Sequence, residues 1–173
     1  MSLRPRSSGF TLVELLVVVG IIGILIALVL PNTSTIIDRA QAVICNARLR
    51  NLWVAFSNHL TDGNGWPQVP SDVPIGSMAE QQWWLTTTSN TMGLTSKNWT
   101  CPTIERLGSR LTNTGQTNLI SYLPTLFDAR PGTPKNWNQM PWFTEVYSVH
   151  GKGNLSIRAD GTVSPMQESI ISP

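Results

Sequence analysis

Residues 10–30 form an apolar run interrupted only by Thr11 and Glu14. As a helix rising 1.5 Å per residue this run reaches about 31 Å, the thickness of a hydrocarbon core of about 30 Å. Residues 1–9 carry Arg4 and Arg6 and no acid, so the positive-inside bias keeps them in the cytoplasm and sends the rest of the chain outward. The pattern predicts a single-pass anchor at residues 10–30 with a periplasmic or extracellular body. A cleaved secretory signal fits less well. The apolar stretch after Glu14 runs on to Leu30, at or beyond the usual length of a signal's apolar region, and no small-x-small cleavage site follows.

Glu14 is what a plain anchor leaves unexplained. A carboxylate within a membrane-inserted helix costs on the order of 2.5–3.5 kcal/mol, less near the interface, and such residues are usually kept for a partner. Cleavage between Gly9 and Phe10 would create one, because the new α-amino group has an unperturbed pKa of about 7.7–8.0. In a stack of such helices, Glu14 of one chain could pair with the Phe10 amine of its neighbour. The cost would then be offset only in the assembled state. The alternative is a glutamate that snorkels to the headgroups.

The octapeptide Gly9-Phe10-Thr11-Leu12-Val13-Glu14-Leu15-Leu16, with a short basic leader before it and an apolar run ending at Pro31, resembles the cleavage and methylation signal of type IV prepilins and type II secretion pseudopilins. The resemblance implies a leader at residues 1–9, removed after Gly9 by a prepilin peptidase that also N-methylates Phe10. It implies storage in the bacterial inner membrane, then polymerisation with other pilin or pseudopilin subunits by an inner-membrane assembly machinery. Pro31 matches a family position where the long helix bends, as a helix-interior proline would cause.

Beyond Pro31 the pattern stays helical. Ile37, Ala40, Ile44 and Ala47 make one stripe, and Leu49, Leu52, Phe56 and Leu60 continue it after a slip. Asp38, Arg39, Arg48 and Arg50 take the other side. This predicts an amphipathic helix to about residue 60 that packs on a globular head and is ended by the turn residues Thr61-Asp62-Gly63-Asn64-Gly65. Ser77-x-x-Glu80 predicts a capping box ahead of a short helix, and Ile120 to Phe127 a strand. Asn154 to Ala159 alternates, Asp160-Gly161 is a tight-turn dipeptide, and Val163 starts a return strand. The hairpin would lay Leu155, Ile157 and Ala159 on the long helix, with Phe143 to Val149 as a further strand. The expected architecture is therefore α+β and pilin-like: a long N-terminal helix packed on a small antiparallel sheet, with residues 31–173 as the head.

His150, nine residues and then Asp160-Gly161 resemble the H-x9-DG element of a prepilin-like family. Cys45-x3-Leu49-Arg50-x-Leu52, Cys101-Pro102 and Ser121-Tyr122 resemble other landmarks of that family. This refines the fold more than the function. The spacing is also what a hairpin opened by His150 and closed by Asp160-Gly161 produces.

Cys45 and Cys101 are the two cysteines of the chain. Outside the cytoplasm they could form one bridge, stabilising by a few kcal/mol; two buried free thiols are the other reading. A zinc site drawn from Cys45, Cys101, His59 and His150 lacks the short paired spacings of structural zinc, so no metal is expected. For calcium, Asp62-Gly63-Asn64 opens like a binding loop but has Val73 where the bidentate glutamate belongs. No nucleophile elbow suggests hydrolysis, and no enzyme activity is expected. Arg4 and Arg6 account for the whole net charge of +2, which leaves a neutral body without attraction for nucleic acid. A surplus of tryptophan, 7 in all, supplies the alternative to a filament subunit: a membrane-tethered periplasmic polysaccharide-binding protein that stacks sugars on Trp83 and Trp84 and never polymerises.

Overall fold

The computed structural model describes residues 10–29, 33–111, 118–150 and 153–166. The chain divides into two compact units, residues 1–37 and 38–173. The leader with Gly9, and Pro31 with its expected bend, lie outside the described residues.

The first unit holds helix α1, Leu12–Val29, and the first turn of α2, Thr33–Thr61. Residues 12–27 of α1 are exposed on every side. With 18 residues, α1 reaches about 27 Å. Among the described residues no helix is long and apolar enough to cross a membrane.

In the second unit α2 supplies the inner wall of the core. Its buried positions are Cys45, Leu49, Leu52, Phe56 and Leu60, spaced four, three, four and four residues apart as one face of a 3.6-residue helix requires. The earlier stripe expected to continue this face does not: Ile37, Ala40, Ile44 and Ala47 are exposed. The slip seen in the sequence is a real change of face. Cys45 marks where packing begins, because it is bonded to Cys101. Arg48, expected on the solvent side, instead donates to the Thr100 carbonyl at 2.6 Å and to its hydroxyl at 3.1 Å.

Gly63, at φ 85°, follows the end of α2, and the loop after it carries Trp66 into the core. Ser77 caps α3, Met78–Met92, its hydroxyl accepting from the Glu80 N–H at 3.2 Å. The Glu80 carboxylate closes the box one residue early, on the Gly76 N–H. Gly93 in the left-handed region ends the helix with its N–H on the Ser89 carbonyl. A 3-10 turn, Ser96–Trp99, and helix α4, Pro102–Leu111, flank Cys101.

The sheet is a four-stranded antiparallel meander in the order β1 (Tyr122–Pro124), β2 (Phe143–Glu145), β3 (Asn154–Ile157), β4 (Val163–Met166). The short helix α5, Thr133–Asn136, lies in the β1–β2 connection. The strand expected at Ile120–Phe127 is thus shorter. Its pairing with β2 runs from Tyr122 to Pro124, and beyond it the Thr125 N–H still donates to the Trp142 carbonyl at 2.9 Å. Both edge strands contain a proline, Pro124 in β1 and Pro165 in β4.

The hairpin of β3 and β4 closes through Asp160-Gly161 as expected. The Asp160 carboxylate accepts from the Thr162 N–H at 2.9 Å, and Gly161 adopts φ 77°. Gly161 lies so close to Trp53 that a Cβ there would meet its ring at 3.3 Å, while the Trp53 indole donates to the Ala159 carbonyl at 3.1 Å. This docks the hairpin on α2.

Aromatic rings fill the centre. Phe56 has the rings of Trp66, Phe143, Trp84 and Trp99 at centroid distances of 4.8, 4.9, 6.3 and 6.3 Å, within the range for edge-to-face and offset pairs. Trp66, Trp84, Trp99 and Trp142 are buried. Three of them anchor an indole N–H: Trp84 on Glu80, Trp99 on the Thr88 hydroxyl, and Trp142 on the Pro134 carbonyl.

The phase of α2 is testable by paired substitutions in the detergent-solubilised full chain. Phe56→Ala should cost about 3–5 kcal/mol of unfolding free energy and Ile44→Ala less than about 0.5 kcal/mol, read from urea denaturation followed by tryptophan fluorescence. A large effect at Ile44 would mean the first stripe is the packed one.

Candidate functional site

Two places carry chemistry, one in each unit. In the first unit the start of α1 is built by Thr11 and Glu14. The Glu14 carboxylate accepts from the Thr11 N–H and the Thr11 hydroxyl, both at 2.8 Å, while the Glu14 N–H donates to the Thr11 hydroxyl oxygen at 3.3 Å. This is a reciprocal capping box, worth about 1 kcal/mol to a helix start. The Thr-x-x-Glu spacing that signals it stands in the sequence, where Glu14 was weighed only against the membrane. All three bonds use Oε2 of the carboxylate or the backbone. Phe10 is exposed immediately before the helix.

In the second unit α2, the α4 N-terminus, β2 and the segment before residue 151 converge. The Cys45 and Cys101 sulfurs are bonded, with Cα atoms 5.2 Å apart. The bridge is seated by its neighbours: the Tyr122 hydroxyl donates to the Cys45 carbonyl at 3.2 Å, and the Cys101 N–H donates to the Ser121 hydroxyl oxygen at 2.9 Å. Burial first, and the Glu145 carboxylate second, raise the pKa of the Tyr122 hydroxyl, so it stays a neutral donor.

His150 lies against this bridge, its Nε2 at 3.5 Å from the Cys101 sulfur and 3.3 Å from Glu145 Oε1. Both side chains are nearly out of solvent, at 7% and 0% exposure. Burial pushes the Glu145 carboxyl up to about 7, eased by the Leu155 N–H on its other oxygen. Burial also lowers the His150 pKa against the pull of Asp38. Both shifts disfavour charge, and among the described residues Glu145 Oε1 has no hydrogen-bond partner. His150 lines a surface cleft of about 340 Å³ with Asp38, Arg39, Ala42, Thr103 and Val149.

The fold thus brings together Cys45, Cys101 and His150 from the set weighed for zinc, leaves out His59, and adds Glu145. Nothing in the sequence marked Glu145, which stands singly in a strand. Asp160, singled out with His150, is exposed and occupied by its own turn. Asp62 and Asn64 are exposed as well. Of the tryptophans offered as a sugar platform, Trp84 is core and Trp83 is half-buried, its ring packed edge-on against Trp84 at 4.9 Å.

Residues 4–30 match the family model described as the prokaryotic N-terminal methylation motif. The N-terminus of the chain is thus similar to those of pilins and pseudopilins. It is 30% identical over 86 residues to the type II secretion system core protein G of Pseudomonas aeruginosa, an alignment covering 46% of this chain and 61% of that protein. It is 32% identical over 70 residues to the type IV major pilin protein PilA of Myxococcus xanthus, covering 40% and 32%. To the type IV major fimbrial protein FimA of Dichelobacter nodosus it is 39% identical over 61 residues, covering 35% and 38%. The chain therefore spans between about a third and three fifths of the curated relatives it matches. No solved structure matches it significantly.

The bridge closes a separation of 56 residues, for which chain entropy gives about 4 kcal/mol. Cys45→Ser together with Cys101→Ser should lower the unfolding free energy by about 2–5 kcal/mol, measured by urea denaturation of the solubilised full chain. An unchanged midpoint would remove the bridge from the head's stability.

Proposed function

We propose that this chain is a structural subunit of a pilus or type II secretion pseudopilus, processed after Gly9, methylated at Phe10 and polymerised through its N-terminal helix. The observation that supports this most is α1 itself, whose large apolar side chains are exposed round its whole circumference. A helix apolar on all sides requires lipid or other helices around it. Residues 10–30 serve as the membrane anchor during storage, and assembly exchanges lipid contacts for helix–helix contacts.

Glu14 has two duties in this reading. In the stored subunit it caps its own helix through Thr11. In the filament its carboxylate meets the Phe10 amine of the next subunit and fixes the register. The partners are a prepilin peptidase and N-methyltransferase, further copies or relatives of this subunit, and an inner-membrane assembly machinery. The head faces the periplasm, where the Cys45–Cys101 bridge is chemically at home. The role is assembly, without turnover chemistry. The curated relatives named above are a secretion core protein and two major pilins, and the same reading covers both uses.

The intact N-terminal mass of protein recovered from native membranes tests processing: a chain beginning at N-methyl-Phe10 is expected, and one retaining Arg4 and Arg6 would overturn the proposal. The two duties of Glu14 separate on substitution. Glutamine can complete a capping box but carries no charge, so Glu14→Gln should be processed and membrane-bound yet assemble as poorly as Glu14→Ala. Normal incorporation of Glu14→Gln into sheared filaments or pseudopili would reduce Glu14 to a cap.

A further inference from the structure

We infer that Cys45, Cys101, Glu145 and His150 form a tetrahedral site for zinc or a similar thiophilic divalent cation whenever the disulfide is open. The two sulfurs, the imidazole nitrogen and the carboxylate oxygen all lie within 4.8 Å of one another. Metal–ligand bonds of about 2.3 Å for sulfur and 2.0–2.2 Å for nitrogen and oxygen place the ligand atoms of a zinc tetrahedron about 3.3–3.8 Å apart. The His150–Glu145 separation of 3.3 Å and the Cys101–His150 separation of 3.5 Å already have those values. The bonded sulfurs are too close and the remaining pairs lie within 4.8 Å; opening the bridge lets the sulfurs part and the group adjust.

Glu145 Oε1, without a hydrogen-bond partner among the described residues, is the independent indication. It is a carboxylate oxygen fully removed from solvent, beside a single imidazole nitrogen that cannot donate to both it and the Cys101 sulfur. A cation in the middle satisfies all four groups together. Two thiolates and one carboxylate then surround a divalent charge, which removes the reason for Glu145 to hold a proton. His150 also lines the surface cleft that Asp38 lines, so one ligand of the group borders a space that a cation can enter.

The chemistry balances in both directions. The newly made chain carries both cysteines as thiols, so zinc binds by displacing the two thiol protons together with any proton that Glu145 holds. Bridge closure then passes two electrons from the two thiolates to a disulfide oxidant, which takes up two protons from water and leaves as a dithiol, while the cation is expelled. From the bridged state a dithiol donor supplies the two electrons and two protons that reopen the site. The head therefore has two closed states at one locus, a metal-clipped one and a disulfide-clipped one, and each holds α2 to the α4 N-terminus.

The test uses the detergent-solubilised full chain, reduced with a phosphine under argon and titrated with cobalt(II). One equivalent should bind, with a thiolate-to-cobalt charge-transfer band and the intense visible bands of tetrahedral cobalt. Zinc should displace it stoichiometrically, and the unreduced protein should bind none. Glu145→Gln and His150→Ala should each weaken zinc binding by about tenfold or more against a chromophoric chelator. The near-ultraviolet dichroism of the tryptophan core in the oxidised form of each variant checks that it folds. Absence of the charge-transfer band in the reduced wild-type chain overturns the proposal. So does a band whose strength and zinc affinity are unchanged in both folded variants, because two thiols alone would then account for it.

Discussion

The face that α2 turns inward governs the head. Cys45, Leu49, Leu52, Phe56 and Leu60 lie on one stripe of the core, with the bridge to Cys101 at one end of it and the rings of Trp66, Phe143, Trp84 and Trp99 around Phe56. A helix rotated by one residue would turn Phe56 by about 100°, away from the rings of Trp66 and Phe143 that lie within 5 Å of it. The sheet could not replace that contact. Its strands are three or four residues long, and so short a meander stands only because a helix covers one face.

The bridge and the polar bonds around it fix the same rotation from outside the core. Arg48 on Thr100, the Thr103 hydroxyl on Gln41 at 3.0 Å and the Tyr122 hydroxyl on the Cys45 carbonyl tie one stretch of α2 to α4 and β1. Their partners are side chains and backbone far apart in sequence. This is why the face change after Ala47, visible in the sequence as a slip between two apolar stripes, could not be assigned a direction there. Periodicity reveals that a helix has an apolar face, and only long-range partners decide which of two candidate faces is packed.

Local signals were legible in proportion to how local their physics is. Ser77-x-x-Glu80, Gly63 and Asp160-Gly161 each predict a turn or cap from two or three neighbouring residues, and each lies where that chemistry demands. Thr11-x-x-Glu14 carries the same local signal at the start of an apolar run. The grouping of Cys45, Cys101, Glu145 and His150 had no such signature, because its members come from a helix, a helix start, a strand and a loop separated by up to 56 residues between the sulfurs alone. Short paired spacings are one way to collect ligands, and tertiary packing is another that sequence spacing does not record.

The prolines at the two sheet edges, Pro124 and Pro165, bear on a hazard of crowding. Proteins concentrated on a surface risk adding strand to strand, since an edge with free N–H groups is a template for the next molecule. Each outer strand here is very short and has one residue with no N–H to offer. Contacts between copies of the chain by sheet extension are thereby discouraged, which leaves side-chain surfaces, selective for their partner, in place of a backbone ladder that accepts any sequence.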